Sequence, residues 1–363
     1  MNKVISRIFN KKIIVSLLAV ILGIIAGGVL MYFTDNNPIE GYTYLIQGGT
    51  KSISRIGDVI AMATPLILTG LSVAFAFKTG LFNIGAPGQV LMGGFVALAI
   101  GLTFDLPQVI LIPIMIIGSA LAGAIWGIVP GVLKAKFNVH EVVSSIMMNW
   151  IAYWIVFYAV PAYFKGATET ESLALAETST LKVQWLTEAF DGSFINLGIF
   201  IALIAVIVIS FILNKTTLGY ELKAVGFNRY AAEYAGISVN RNIVISMMIA
   251  GALAGLGGLA VYAGNSNIIE IGVLPAQGFD GIAIALLGAS NPFGVLFASL
   301  FFGILYVGTG FMSAMTTIPP EIAETIIAII IYFAATSIVV EKLIDKVIQK
   351  RKDSKNNKVK EEV

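Results

Sequence analysis

The sequence has few of the residues from which soluble enzymes build their active sites. It has no cysteine and a single histidine, His140, among 363 residues. Disulfides, thiolate metal ligands, a cysteine nucleophile and a multi-histidine metal centre are therefore excluded. Charged residues make up only 12% of the chain, against about 25% in soluble globular domains. The net charge of +2 gives no indication of nucleic-acid binding.

Apolar residues dominate the composition instead. They make up 57% of the chain, and the mean hydropathy is +0.89. A water-soluble core cannot hide this much apolar surface, so lipid must be the solvent for most of the chain. Runs of about 20 apolar residues predict an all-α membrane protein with about ten transmembrane helices. The predicted spans are 13–33, 58–77, 84–103, 108–129, 141–160, 195–214, 242–262, 279–291, 294–311 and 322–341. We read 1–341 as one polytopic domain and 342–363 as a basic cytoplasmic tail.

The distribution of basic residues predicts the orientation of the chain. With both termini in the cytoplasm, the inner side holds four basic residues before the first span, seven in the inner loops and eight in the tail. The outer side holds only four: Lys51, Arg55, Lys165 and Lys182. Excess Lys and Arg on one side marks the cytoplasmic face. The sequence therefore predicts a multi-pass protein of the cell membrane with an even number of spans.

The segment Thr79–Gln89 interrupts an otherwise apolar region with three glycines and Pro87. Non-helical backbone is tolerated at membrane depth only where protein or a wet cavity satisfies its polar groups. Broken helices of this kind commonly form the solute sites of transporters. A plain tight turn is the alternative interpretation, and the sequence alone leaves both open.

Polar residues on the fifth predicted span recur every four residues, at Glu141, Ser145, Asn149 and Tyr153. This spacing places them on one broad helix face. Polar side chains within a membrane generally face a bundle interior or a wet path, although they also bond neighbouring helices. We predict a substrate path formed by Asn83, Gln89, Ser145, Asn149, Tyr153 and Asp280, with Asp280 near the outer end of span eight.

The inner loop, about residues 215–241, contains a short predicted helix between 228 and 235. Asn228 is a suitable N-cap and Gly236 a suitable C-cap. A short capped helix of mixed charge is suited to docking on a soluble partner. The alternative, a helix lying on the bilayer, favours more Lys and Arg on its polar face. In span seven, the spacing of Gly251, Gly255 and Gly258 predicts close helix packing.

Several of these segments resemble the permeases of ATP-binding-cassette (ABC) importers. Ala231-Ala232, three residues and Gly236 resemble the cytoplasmic Ala-Ala-x-x-x-Gly loop of those permeases, with Tyr230 in place of the usual Glu. Pro87 also departs from the group, whose members often carry an acid there, so no acidic contact is expected at that point. The nucleoside, simple-sugar and branched-chain amino acid permease group is matched at 80–85, 141–143, 148–152, 224–237 and 278–283.

The resemblance implies a type II ABC importer-like permease that takes up nucleosides. Its implied partners are a second permease subunit that is a homologous but different chain, ATPase subunits that bind ATP and Mg, and an extracellular solute-binding lipoprotein. The coupling residues it implies are Gly226, Asn228, Ala231, Ala232, Tyr234 and Gly236. The chain itself needs no catalytic residue, cofactor or metal, and it has no Gly-x-x-x-x-Gly-Lys-Ser/Thr phosphate loop.

The family fold also implies an inverted repeat of spans two to five and seven to ten. Repeats offset by five spans must be inverted in the membrane. Each half then carries one short or broken element, near 79–89 and near 279–292.

Three other functions compete with a nucleoside importer. A simple-sugar permease of ribose or galactose type would share the motifs. An ion-coupled secondary transporter would need a charged residue at mid-membrane. A membrane enzyme would need clustered catalytic groups, which the sequence does not offer.

Overall fold

The computed structural model describes residues 11–336, so the predicted tail over 342–363 lies outside the described residues. This part of the chain is helical, with two isolated β-bridges and no longer strand among its residues. A 3₁₀ turn spans Glu177–Ser179, and a π-helical turn, Ala260–Asn265, directly follows the helix Val239–Leu259. The helices are α1 Lys11–Phe33, α2 Pro38–Thr50, α3 Ile53–Lys78, α4 Ala86–Thr103, α5 Gln108–Phe137, α6 Glu141–Tyr163, α7 Gln184–Ala189, α8 Gly198–Lys215, α9 Thr217–Phe227, α10 Arg229–Tyr234, α11 Val239–Leu259, α12 Gln277–Leu287, α13 Pro292–Met315 and α14 Pro320–Ala335.

Each of the ten predicted spans overlaps one of these helices. Among the described residues, seven helices are long and apolar enough to cross a membrane: α3, α4, α5, α6, α8, α11 with its π turn, and α13. Helix α12 has only 11 residues, and the described part of α14 has 16. The count of ten spans and the inverted repeat therefore stay predictions.

Helix α2 is an element that the sequence reading missed. Its 13 residues are too few to span a bilayer, so a search for runs of about 20 residues passes over it. Asn37 caps its start by accepting a hydrogen bond from the Ile39 N–H, at 3.0 Å. The helix packs against α13, where a Cβ on Gly48 would lie 2.7 Å from the Gly308 Cα.

Glycines allow the central helices to pack in backbone contact. Helix α11 crosses α5 so closely that a Cβ on Gly255 would overlap the Ser119 carbonyl oxygen, and one on Gly251 would overlap that of Gly123. Gly93 of α4 meets Gly255 in the same way. The predicted role of the span-seven glycines is confirmed. Small residues at helix crossings are the usual means of tight packing in membranes, where lipid gives helices no hydrophobic reason to associate.

Contacts between loops define one end of the bundle. Gln108 donates to the carbonyl oxygens of Thr180 and Lys182, each at 3.0 Å, and Thr317 donates to Asn36 at 2.8 Å. Residues Glu171 and Glu270 form an antiparallel bridge between the two long loops at this end. These are the loops that the charge pattern assigns to the outside.

The opposite end gathers the loops that the charge pattern assigns to the cytoplasm. Gly226, at the end of α9, lies against Lys78 and Gly80. Lys134 and Glu141 form an ion pair at 3.0 Å across the turn between α5 and α6. Loop contacts thus sort these loops into the two predicted sets. We call the two ends of the bundle the outer end and the inner end after these sets, and the assignment of the inner end to the cytoplasm stays a prediction of the positive-inside pattern.

Cysteine labelling tests that orientation directly, because the chain has no native cysteine. Thr168 and Asn240 are exposed at opposite ends of the bundle. We expect Thr168→Cys to react with an impermeant maleimide in intact cells and Asn240→Cys to react only after permeabilisation. Labelling of Asn240→Cys from outside would contradict the orientation, and denatured samples of both variants control for cysteine reactivity.

Candidate functional site

The non-helical break between α3 and α4 lies inside the bundle, and the side chain of Asn149 supplies hydrogen bonds to its open backbone groups. Asn149 of α6 accepts a hydrogen bond from the Gly88 N–H at 2.9 Å and donates one to the Ile84 carbonyl at 3.0 Å. Eight residues separate Asn149 from the start of α6, which places it about 12 Å along that helix. Its amide therefore replaces the hydrogen bonds that the broken helix cannot make within itself.

The same interruption holds a second buried amide pair. Asn83 donates to the Gln89 side chain at 2.8 Å, and Gln89 donates back at 3.0 Å. Asn83 also donates to the Ser72 hydroxyl of α3, at 3.0 Å. Ser145 lies beside Gly85, 3.2 Å from the position of a Cβ there, and its hydroxyl has no hydrogen-bond partner within residues 11–336.

Four of the six predicted path residues thus lie together in one buried cluster: Asn83, Gln89, Ser145 and Asn149. In this conformation the hydrogen bonds of Asn83, Gln89 and Asn149 hold α3, α4 and α6 to one another. That is the packing alternative of the sequence reading, and a role in the path stays a prediction for all four.

A second interrupted element meets the first near the middle of the bundle. A Cβ on Gly278, in the first turn of α12, would lie 2.5 Å from the Pro87 Cα. A Cβ on Gly281 would lie 2.8 Å from the backbone of Thr69. Thr69 is 16 residues into α3, about 24 Å from its outer start. Helix α12 therefore begins deep in the bundle, directly against the start of α4.

Asp280 therefore lies deeper in the bundle than the sequence suggests. It is in the first turn of α12, at the outer end of span eight as predicted, but α12 itself begins near the middle of the bundle. The preceding segment, 266–276, descends from the outer end without forming a helix, which a search for apolar runs does not reveal. The two broken elements that the sequence singles out are thereby brought into contact.

Tyr153 and Asp280 do not join the amide cluster. The Tyr153 ring contacts Trp154 with centroids 5.1 Å apart, and its hydroxyl lies 3.8 Å from the position of a Cβ on Gly272. Asp280 accepts a hydrogen bond from the Tyr306 hydroxyl at 2.9 Å.

Two residues of these contacts, Tyr306 and Ser72, were not predicted from the sequence. Each is a single polar group in an apolar run, so no periodic pattern indicates it.

Helix α10 at the inner end has the predicted caps. The Asn228 side chain accepts from the N–H groups of Tyr230 and Ala231 at 3.0 and 3.1 Å. Gly236 has a left-handed φ of +82°, and the next residue, Ile237, donates to the Ala232 carbonyl at 3.0 Å. These bonds form the glycine C-cap that satisfies the last carbonyl groups of a helix.

The two faces of α10 differ in exposure. Ala232 is 4% exposed and packs with Ile243 and Met247 of α11, so it anchors the helix. Tyr230 and Tyr234 are 84% and 97% exposed and project from the inner end. Exposed aromatic side chains of this kind are enriched where proteins bind other proteins.

The inner loop also contacts the interruption directly. A Cβ on Gly226 would overlap the Lys78 carbonyl oxygen and lie 3.1 Å from the Gly80 nitrogen. Thr79 and Ser246 of α11 share a hydrogen bond of 2.8 Å. Close-packed interiors transmit strain, and these contacts link the inner loop directly to the break.

These features define the class of the protein: a polytopic, membrane-embedded permease with two interrupted elements that meet inside the bundle. No group of three or more His, Asp and Glu suited to a metal occurs in the part of the chain that the structure describes. The chain belongs to the family described as the permease component of the branched-chain amino acid transport system, whose profile matches residues 55–335.

Three relatives that match most of this chain are named as ABC transporter permeases. The guanosine ABC transporter permease NupP of Bacillus subtilis is 41% identical over 93% of this chain and 97% of its own. The nucleoside ABC transporter permease NupB of Lactococcus lactis is 38% identical over 93% and 94%. The glucose ABC transporter permease TsgB13 of Haloferax volcanii is 32% identical over 88% and 86%.

The guanosine permease NupQ, also of Bacillus subtilis, is 29% identical over 67% of this chain and 78% of its own. No solved structure matches this chain.

Removing the Asn149 amide should destabilise the interruption. Asn149→Leu leaves the Gly88 N–H and the Ile84 carbonyl buried without partners, at a cost of about 1–3 kcal/mol for each orphaned group. We expect a fall of several degrees in the thermal unfolding midpoint of the purified protein in lipid nanodiscs. Asn240→Leu, at an exposed position, is the control, and equal midpoints for the two variants would contradict this role.

Proposed function

We propose that this chain is one permease subunit of an ABC importer that takes up nucleosides handed over by an external binding lipoprotein. The observation that carries the proposal is the similarity to the guanosine permease NupP and the nucleoside permease NupB along almost the full chain. The partner ATPase would bind ATP and Mg²⁺ and supply the energy. The chain itself would move the solute without catalysing a reaction.

The chemistry of the interrupted elements supports a neutral polar solute. The cluster at the break consists of amides and hydroxyls, and α6 adds an aromatic series in which Trp154 and Tyr158 stack with centroids 5.8 Å apart. A nucleoside offers a flat base, ring nitrogens and ribose hydroxyls, which match hydrogen-bonding groups and aromatic faces. A path for ions would instead need rings of charge.

The predicted path residues then act where the two broken elements meet. Hydrogen bonds of Asn83, Gln89 and Asn149 hold the start of α4 in place when the path is closed, and Ser145 packs beside Gly85. Tyr153 and Asp280 lie on the side of α12. During transport, separation of α4 from α12 would expose the amides, which would exchange their mutual hydrogen bonds for bonds to the solute. An importer with an external receptor needs only weak binding along this path.

The second permease subunit is a different, homologous chain in this proposal. NupP and NupQ are two guanosine permeases of one organism, and both resemble this chain. The inner helix α10 docks on the ATPase through Tyr230 and Tyr234, while Gly226, Asn228, Ala231, Ala232 and Gly236 hold the loop in shape.

A sugar is the second candidate solute, and it has one specific observation in its favour. TsgB13, which is named as a glucose permease, is similar over 88% of this chain. Sugars and nucleosides both present ring hydroxyls to neutral hydrogen-bonding groups, so the described contacts suit either. Transport competition separates them.

Uptake by the reconstituted transporter tests the function. Proteoliposomes with both permeases, the ATPase and the binding lipoprotein should accumulate labelled guanosine only when ATP and Mg²⁺ are enclosed. Excess adenosine should compete, and excess ribose, galactose or glucose should not. Accumulation of glucose that guanosine does not compete would contradict the nucleoside assignment, and uptake driven by an ion gradient without ATP would contradict the importer.

Coupling through α10 is tested by a pair of glycine variants. Gly236 and Gly192 have left-handed φ angles of +82° and +78°, and neither has an atom within 4 Å of an added Cβ. A β-branched residue therefore strains both sites by similar amounts, but Gly192 lies in the outer loop. We expect Gly236→Val to reduce uptake and ATPase co-purification at least severalfold, and Gly192→Val to leave both near the native level.

A double variant at the exposed ring positions extends that test. Tyr230→Ala with Tyr234→Ala should weaken ATPase binding without changing the amount of inserted permease, because neither ring is buried. If ATPase retention is unchanged in both Gly236→Val and this double variant, α10 is not the docking element.

A further inference from the structure

A groove descends from the outer end of the bundle between α12, α13 and α14. Its volume is about 830 Å³, within the roughly 300–1,000 Å³ of small-molecule sites. Ser313, near its mouth, is two residues from the end of α13, whereas Tyr306 is nine residues, about 14 Å, from that end. The polar groups that line the groove are Asp280, Tyr306, Thr309, Ser313, Glu324 and Tyr332.

The groove floor has hydrogen-bonding capacity that the protein does not use. One oxygen of the Asp280 carboxylate accepts from the Tyr306 hydroxyl at 2.9 Å, and no hydrogen bond to the other oxygen occurs within residues 11–336. A carboxylate oxygen without a partner is costly against hydrocarbon, which favours water or a polar ligand in this groove over lipid tails.

The polar lining selects for a ligand that donates hydrogen bonds. It contains two carboxylates and hydroxyls but no Lys or Arg, so it disfavours a phosphate or carboxylate ligand. A carboxylate with a free oxygen accepts hydrogen bonds from two neighbouring hydroxyls of one molecule. The vicinal 2′- and 3′-hydroxyls of a ribose present that pair on a neutral ligand.

We propose that this groove is the outer entry site for the solute and that Asp280 recognises the ribose cis-diol of the nucleoside. The proposal rests on the proposed nucleoside function. Tyr306 is a positioning residue, because its hydroxyl orients the carboxylate while the other oxygen accepts from the sugar. Asp280 also lies on the same short helix as Gly278, which packs against Pro87, so the recognition site and the junction of the two interrupted elements share α12.

The depth of the site has a consequence for transport direction. A solute released by an external receptor meets Glu324 and Ser313 first and Asp280 last, along a groove open to the outer end.

Uptake of guanosine compared with 2′-deoxyguanosine by the complete reconstituted transporter tests the proposal. Asp280→Ala should lower guanosine uptake about tenfold or more, the order expected for loss of charge-assisted hydrogen bonds. Uptake of 2′-deoxyguanosine should fall much less, so the ratio of the two rates should collapse toward one. Tyr306→Phe should shift the ratio in the same direction by a smaller factor, and Glu177→Ala, an exposed acid of the outer loop, should leave it at the native value.

Three further measurements distinguish a failure of the variant, cation binding by Asp280 and a failure of the proposed function. Asp280→Asn keeps the side-chain shape and one acceptor, so it supplies the same ratio if Asp280→Ala fails to assemble. An unchanged ratio in the Asp280 and Tyr306 variants overturns the proposal. So does guanosine uptake that depends on Na⁺ or K⁺ in the native transporter and loses that dependence in Asp280→Asn, because the carboxylate then binds a cation. If the native transporter does not take up guanosine, the proposed function itself fails.

Discussion

The structure depends on one constraint: backbone groups within a lipid-facing bundle must find hydrogen-bond partners inside the protein. Between α3 and α4 the helical ladder stops, and the Asn149 amide supplies both a donor and an acceptor to the open backbone. Without that side chain, an interruption at this depth would leave groups whose desolvation costs several kcal/mol. The interruption in turn allows α4 to begin at Pro87, in contact with the start of α12.

Close backbone contacts connect this break to the inner loop on one side and to α12 on the other. Gly226 joins the inner loop to Lys78 and Gly80 at one side of the break, and Pro87 joins the other side to Gly278. Neither junction has room for a Cβ, so neither can absorb movement by side-chain rearrangement. Glycine and proline, which weaken helices, thus connect the surface where an ATPase would dock with the groove where a solute would enter.

The buried polar side chains near these contacts differ in whether all of their hydrogen-bonding atoms have partners. Asn83, Gln89 and Asn149 are bonded to one another or to backbone, which makes the closed arrangement stable. One oxygen of Asp280 accepts only from Tyr306, and the other has no partner among the described residues. In the proposed transport cycle, such groups allow hydrogen bonds to be exchanged rather than broken without replacement.

The sequence by itself determined the class, the helix positions and the local chemistry of the inner loop. Apolar runs predicted where membrane helices lie because hydrocarbon imposes their length. Asn228 and Gly236 predicted the ends of α10 because capping is decided by neighbouring residues. The spacing of Ser145, Asn149 and Tyr153 predicted a shared helix face for the same local reason. None of these inferences needs a contact between distant segments.

Only the tertiary structure decided what those residues touch. It separated Asn149 from Tyr153, although both lie on α6, because one faces the break and the other the segment before α12. It placed Asp280 deeper than its position along the chain implied, and it brought Tyr306 to it from 26 residues away. The depth of Asp280 and its contact with Tyr306 depend on how the non-helical segment 266–276 enters the bundle. The hydropathy of the sequence does not predict the course of such a segment.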